Sequence, residues 1–147
     1  MNHADLGSTE SPVIEALEAN PFGYGTQVWS LFRTAPGAGA FPDDLPGVVT
    51  GQAGTPAARS VLRVQLRFEG ERVADARFKA YGCPTSIAVG AWIAAWARGK
   101  SAAELARLDV RALRDALEIP DDRAHGAMLG EDAMRAALAR LKPEAKP

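Results

Sequence analysis

The chain holds a single cysteine, Cys83, and only 2 histidines, His3 and His125. One cysteine excludes an internal disulfide and any metal site built from several thiolates of one chain. It fits a reducing compartment, so a cytoplasmic setting is expected. No apolar run approaches the ~20 residues of a membrane span. Met1-Asn2-His3-Ala4-Asp5 lacks a basic segment followed by an apolar stretch, so no signal peptide is expected. A dominant charge is missing too: 17 Lys and Arg face 18 Asp and Glu, for a net charge of -1. Such a balance supplies no global attraction to nucleic acid or to an anionic membrane, and neither partner is expected. There is no phosphate-cradling loop: Gly99-Lys100-Ser101 matches only its tail. No serine nucleophile elbow and no internal repeat occurs.

What is present suits a folded domain. Hydrophobic residues make up 47% of 147 positions, enough for one proper core. We expect a flexible N-terminal tail at 1–10, a single domain at 11–142 and a flexible C-terminal tail at 143–147. The chain is organised around Phe78-Lys79-Ala80-Tyr81-Gly82-Cys83-Pro84-Thr85-Ser86, where a strand passes into an apolar helix. Pro84 suits the first helical position, because its missing N–H has no intrahelical partner there. Cys83 is then the N-cap, and Gly82 permits the sharp turn before it. A thiol at a helix N-terminus faces unpaired N–H groups, which favours thiolate. The plainer role of a free cysteine is that of a small buried apolar residue.

Before that stretch, Ser11-Pro12 opens a short helix with Val13, Ile14, Ala16 and Leu17 apolar, and Asn20-Pro21 ends it. Val28, Trp29, Leu31 and Phe32 form an apolar cluster of ambiguous period. Thr34 to Thr55 reads as a long connection broken by a short strand at Val48-Val49. Ser60 to Phe68 alternates, with Leu62, Val64, Leu66 and Phe68 inward. After a turn at Glu69-Gly70-Glu71, Arg72 to Tyr81 alternates again, with Ala74, Ala76, Phe78 and Ala80 inward. A helix then runs from Cys83 through Arg98, with Ile87, Ala91, Ala94 and Ala95 on its packed side. Trp92 and Trp96 lie one turn apart on it, a spacing that suits core packing or a stacking surface. Ser101 to Glu104 is a capping box, Asp109 caps a further helix, and Gly130-Glu131-Asp132 opens the last one. Strands followed by helices predict an α+β fold, with helices packed on one face of a small antiparallel sheet of about three strands.

Outside the N-terminal tail, two residues can carry chemistry with soft or borderline metals, Cys83 and the loop residue His125. Arg63, Arg67, Arg77 and Lys79 gather on the outward face of the hairpin, beside Arg59 and Arg72. That face fits an acidic partner, or simply solvent.

Phe78-Lys79-Ala80-Tyr81-Gly82-Cys83, a small-residue helix and Gly99-Lys100-Ser101 resemble the central motif of the IscU/NifU N-terminal iron–sulfur scaffold family. Val13-Ile14-Glu15 with Asn20-Pro21 and Gly25 resembles the family's N-terminal segment. Gly54-Thr55-Pro56-Ala57-Ala58 resembles the loop of its first cysteine. Ile119-Pro120 through His125-Gly126 and Leu129 to Ala133 resembles its last-cysteine segment. The resemblance covers nearly the whole chain outside a longer loop from about Thr26 to Val49. It implies an IscU/NifU-like fold and a binding or carrier role rather than an enzyme.

By the same resemblance, Ala58 stands at the first cysteine position, Ser60 at the aspartate position and Gly126 at the third cysteine position. Cys83 and His125 are the retained pair. The family's Leu-Pro-Pro-Val-Lys chaperone segment reads Ile119-Pro120-Asp121-Asp122-Arg123 here. The implied cargo is sulfur, iron, zinc or an iron–sulfur cluster bound through Cys83 with His125, or no metal at all. A cluster wants about four ligands, so a homodimer pooling two such pairs would complete one. The implied partners are a cysteine desulfurase or other assembly factors. Two alternatives stand beside this: a metal-free adaptor docking on those factors, and a thiol enzyme with Cys83 as nucleophile and His125 as base.

Overall fold

A computed structural model describes residues 23–42 and 44–141. The expected tails and the helix after Ser11-Pro12 lie outside the described residues. In chain order the elements are α1 (Thr26–Thr34), β1 (Val48–Thr55), β2 (Ser60–Glu69), β3 (Arg72–Tyr81), α2 (Pro84–Ala97), α3 (Ala102–Leu105), α4 (Val110–Leu117) and α5 (His125–Leu138). Single 3-10 turns cover Pro56–Ala58 and Asp121–Arg123. The strands form a 3-stranded antiparallel sheet in the order β1-β2-β3. Leu62, Val64, Leu66, Ala76 and Phe78 are buried on the face that α2 and α5 cover. The α+β layout read from the pattern is therefore the observed one.

Four local expectations are corrected. First, β1 runs from Val48 to Thr55 rather than ending at Val49. Its register against β2 is unbroken from Val48↔Arg67 to Thr55↔Ser60, so cross-strand hydrogen bonds carry the small and polar residues that propensity disfavours.

Second, Ala74 is exposed and Val73 is buried. Arg67 pairs with Asp75 but Phe68 pairs with Val73, which leaves Ala74 as the extra residue of a β-bulge. One inserted residue reverses the alternation beyond it.

Third, the α2 stripe is incomplete. Ala95 is exposed, while Thr85, Ser86, Ala88, Val89, Gly90, Ile93 and Ala97 are buried along with Ala91 and Ala94. A helix that is apolar nearly all round is an interior helix. β3, α1 and α5 all pack on it.

Fourth, α5 starts at His125, not at Gly130. Gly130 is no breaker: a Cβ there would lie 2.6 Å from Val89 Cγ1 and 2.8 Å from Leu113 Cδ1. Its bare Cα is what lets α5 approach α2 and α4.

The connection before β1 is tied down. The Gly39 N–H donates to Phe78 O at 2.9 Å, and the Phe78 N–H donates to Gly37 O at 3.0 Å. The chain thereby closes part of the open β3 edge. Farther on, the Phe41 N–H donates to Gln65 Oε1 at 2.8 Å, and Gln65 Nε2 donates to Thr50 Oγ1 at 3.1 Å. Gln65, which alternation turns away from Val64 and Leu66, is thus buried with both ends of its amide bonded.

Candidate functional site

The site is built at the mouth of α2. Cys83 is its N-cap, with extended backbone, and Pro84 occupies the first turn, as the sequence predicts. The Cys83 carbonyl accepts from the Ser86 N–H at 3.0 Å and the Ile87 N–H at 3.3 Å. The side chain makes no cap hydrogen bond. The half-buried sulfur lies 3.7 Å from Ser86 Oγ. Gly82 has φ 149, and a Cβ there would sit 3.2 Å from Ser60 Oγ. So the turn that delivers the thiol runs close past the start of β2 and needs glycine to do so.

His125 arrives from the far end of the chain as the first residue of α5. Its Nε2 lies 2.9 Å from Ser60 Oγ, and either atom can donate, according to the imidazole tautomer. Ser60 is 5% exposed, whereas the histidine itself is exposed. Next to it, a Cβ on Gly126 would lie 2.9 Å from Thr85 Cγ2 and 3.3 Å from Ser86 N. Ser60, Gly82, Cys83, Thr85, Ser86, His125 and Gly126 therefore share one neighbourhood. Ala58 closes the 3-10 turn just before it and is exposed. Sequence reading missed Thr85 and Ser86. Their signal was two small polar residues directly after a capping thiol, where side chains face the helix mouth.

The donor set is thin. The Ala58 methyl and the Gly126 hydrogen bind nothing, and the Ser60 hydroxyl is engaged by His125. Among the described residues, no group of three or more His, Cys, Asp or Glu gathers where it could hold a metal ion. A zinc site takes about three or four ligands and an iron–sulfur cluster about four. Among the described residues one chain offers a thiolate and an imidazole there, which does not fit either as a resident group.

The basic residues of the outer sheet face separate into two pairs. Arg67 bonds Glu69 at 2.8 Å. Arg77 bonds Asp75 at 3.5 Å and lies 4.8 Å from the Phe41 ring centroid. Arg63 and Lys79 face each other across β2 and β3 at the end of the sheet nearer Cys83. On α2, the Trp92 and Trp96 rings stack with centroids 5.6 Å apart, and Lys100 Nζ sits 4.9 Å over Trp96. Both indoles are half-buried against the core.

Residues 23–146 match the family described as NifU-like N terminal domain. The chain is 31% identical over 140 residues to the iron-sulfur cluster assembly protein 3 of Arabidopsis thaliana, covering 95% of this chain and 78% of that one. It is 33% identical over 126 residues to the iron-sulfur cluster assembly scaffold protein IscU of Escherichia coli (strain K12), covering 84% of this chain and 98% of that one. Among solved structures, a putative iron-sulfur cluster assembly scaffold protein for the SUF system from Fervidobacterium islandicum AW-1 aligns with a TM-score of 0.62 at 14% identity. That alignment covers 78% of this chain and 96% of that one, and the likeness is one of fold.

Proposed function

The chain belongs to the family of NifU-like N-terminal domains, and from that membership we propose that it serves iron–sulfur cluster assembly by carrying sulfur on Cys83. It is a scaffold-family protein and not an enzyme, so the thiol-enzyme alternative is set aside. The observation that carries the reading is the pairing of one available thiol with a ligand shell too small for a cluster. The Cys83 side chain makes no cap hydrogen bond, while two of the four other family ligand positions, Ala58 and Gly126, have no donor atom.

A sulfur atom needs one thiolate. The Cys83 thiolate attacks the outer sulfur of a donor persulfide. A new S–S bond forms on Cys83, the donor's S–S bond breaks and the donor leaves as its thiolate. No electrons are gained or lost overall. The donor chemistry suits a cysteine desulfurase. In this reading His125, bonded to Ser60, is the group that exchanges the thiol proton with solvent.

The test is mass spectrometry of the intact protein after incubation with a cysteine desulfurase and cysteine. The expected product carries one added sulfur atom, removed by reductant and absent in Cys83→Ser. Unmodified Cys83 beside a desulfurase that holds its own persulfide would overturn the reading.

A second reading rests on the exposure of His125 and the half-exposure of Cys83, which leave both within reach of another copy. Two chains would supply two thiolates and two imidazoles to one shared cluster as cargo. Anaerobic reconstitution with iron and sulfide would then give visible absorption in a dimer and none in Cys83→Ala. A colourless monomer beside a positive control that takes up iron removes this reading and leaves the sulfur carrier standing.

A further inference from the structure

The outer face of the sheet is half covered. Over its lower part lies the Phe41 segment, bonded to Gln65 and stacked by Arg77. Both cations in that half have carboxylate partners, Arg67 with Glu69 and Arg77 with Asp75. Toward Cys83 the same face is open among the described residues. One cross-strand row there is Gln52, Arg63 and Lys79, and the next is Gly54, Val61 and Tyr81. Gln52, Val61, Arg63, Lys79, Ala80 and Tyr81 line a shallow open groove.

The groove has an unbalanced charge. Arg63 and Lys79 are direct cross-strand partners, and among the described residues neither has an ion pair. Like charges directly opposite one another destabilise a strand pair. Arg59, exposed, adds a third cation just before β2, beside the half-buried Arg63 and the exposed Lys79. Tyr81, 61% exposed, stands in the row nearest the thiol, two residues from Cys83. An exposed tyrosine beside unpaired cations is typical of a surface that meets a partner.

We propose that this half-face docks an acidic segment of the protein that delivers sulfur to Cys83. The proposal rests on the sulfur-carrier reading above. An extended segment running over Arg63 and Lys79 toward Tyr81 ends beside the mouth of α2. A second copy fits poorly, since a two-fold contact would set these cations against themselves. Three cations attract an anionic membrane too weakly for stable binding without an apolar anchor.

The experiment uses the full chain and a fluorescent Asp/Glu-rich peptide carrying one aromatic residue, read by anisotropy. Binding is expected to weaken with salt, and to fall about tenfold in Arg63→Glu/Lys79→Glu. Arg67→Glu, in the covered half, should bind within about twofold of the parent. Equal loss in both variants, or none in the double variant, would overturn the proposal. So would preferential binding of phosphatidylserine vesicles or of an RNA oligonucleotide. Peptide binding that appears only when Asp5, Glu10, Glu15 and Glu18 become amides would assign the surface to the chain's own N-terminus instead.

Two further arms separate this proposal from the one beneath it. Cys83→Ser should bind the peptide unchanged. The double charge variant should take sulfur from glutathione persulfide at the parent rate but more slowly from a desulfurase. If the parent takes no sulfur from either donor, the sulfur reading fails while the peptide result still decides the docking surface.

Discussion

Ser60 Oγ and His125 Nε2 lie 2.9 Å apart and tie the first residue of β2 to the first residue of α5. These elements are remote in sequence and meet only in the folded state. The bond stands where the family resemblance places an aspartate and a histidine, so a contact between protein groups links positions that the resemblance assigns to ligands. Ser60→Ala removes it without leaving a buried orphan, because the imidazole is exposed. The expected loss is about 0.5–1 kcal/mol in urea denaturation, the lower part of the range for one hydrogen bond. Unchanged stability would mean the contact is not maintained in solution.

Gly126, which the resemblance sets at the third cysteine position, is closed in by packing. A Cβ there would meet Thr85 Cγ2 at 2.9 Å, and Thr85 is buried. Gly126→Ala should cost about 1–3 kcal/mol through overpacking. Thr85→Ser removes the opposing methyl and should cost about 1 kcal/mol alone. Together the losses should fall short of their sum by about 1 kcal/mol, because the second change makes room for the first. Additive losses in the double-mutant cycle would show that the first turn of α2 yields without help.

The layout was legible because it follows from local rules. Alternation gave β2, Cys83-Pro84 gave the start of α2, and Ser101 with Glu104 gave a capping box that the structure reproduces with both bonds made. The misses share a different cause. The Ala74 bulge is a property of the pairing between strands, and no single strand encodes it. Gln65 reads as surface until the Phe41 segment closes over it. Gly130 reads as a helix start, yet it, Gly51 and Gly126 each mark a close approach. At Gly51 a Cβ would run into the Ala133 carbonyl oxygen of α5. Cys83, Ser60 and His125 stood out as candidates and Thr85 and Ser86 did not, while the contact between Ser60 and His125 was a consequence of the fold.

Asp75 introduces a pH dependence. Partial burial opposes its ionisation. The Ala76 N–H at 2.8 Å and the guanidinium groups of Arg98 at 2.9 Å and Arg77 at 3.5 Å outweigh that. Its carboxyl is therefore held below the usual range. A depressed folded-state value means that the ionised group stabilises the protein above the unfolded value of about 3.9, and that this contribution is lost as pH falls through the folded value. Asp75→Asn should lower stability at neutral pH by about 0.5–1 kcal/mol, because the partners are partly solvated. The difference should vanish in acid below the folded value. A gap between variant and parent that is constant from neutral to strongly acidic pH would exclude the carboxylate as its source.

The donor count itself can be reversed. Ala58→Cys, Ser60→Asp and Gly126→Cys would place two thiolates and a carboxylate around Cys83, and the serine change would also free the His125 ring. If the missing donors alone prevent metal retention, this variant should bind one zinc per chain where the parent retains none. The metal needs three to four ligands, and the fold already brings the positions together. Zinc at a hundredfold excess over its dissociation constant should add about 2.7 kcal/mol of stability, removed by chelation. Adding Thr85→Ser should strengthen binding, since Thr85 Cγ2 lies where the new Cβ at Gly126 must go. If the variant folds yet takes up no zinc even with Thr85→Ser, the geometry of the α2 mouth, and not merely the lost donors, excludes the metal. The sulfur on Cys83 would then be the whole of what this site can carry.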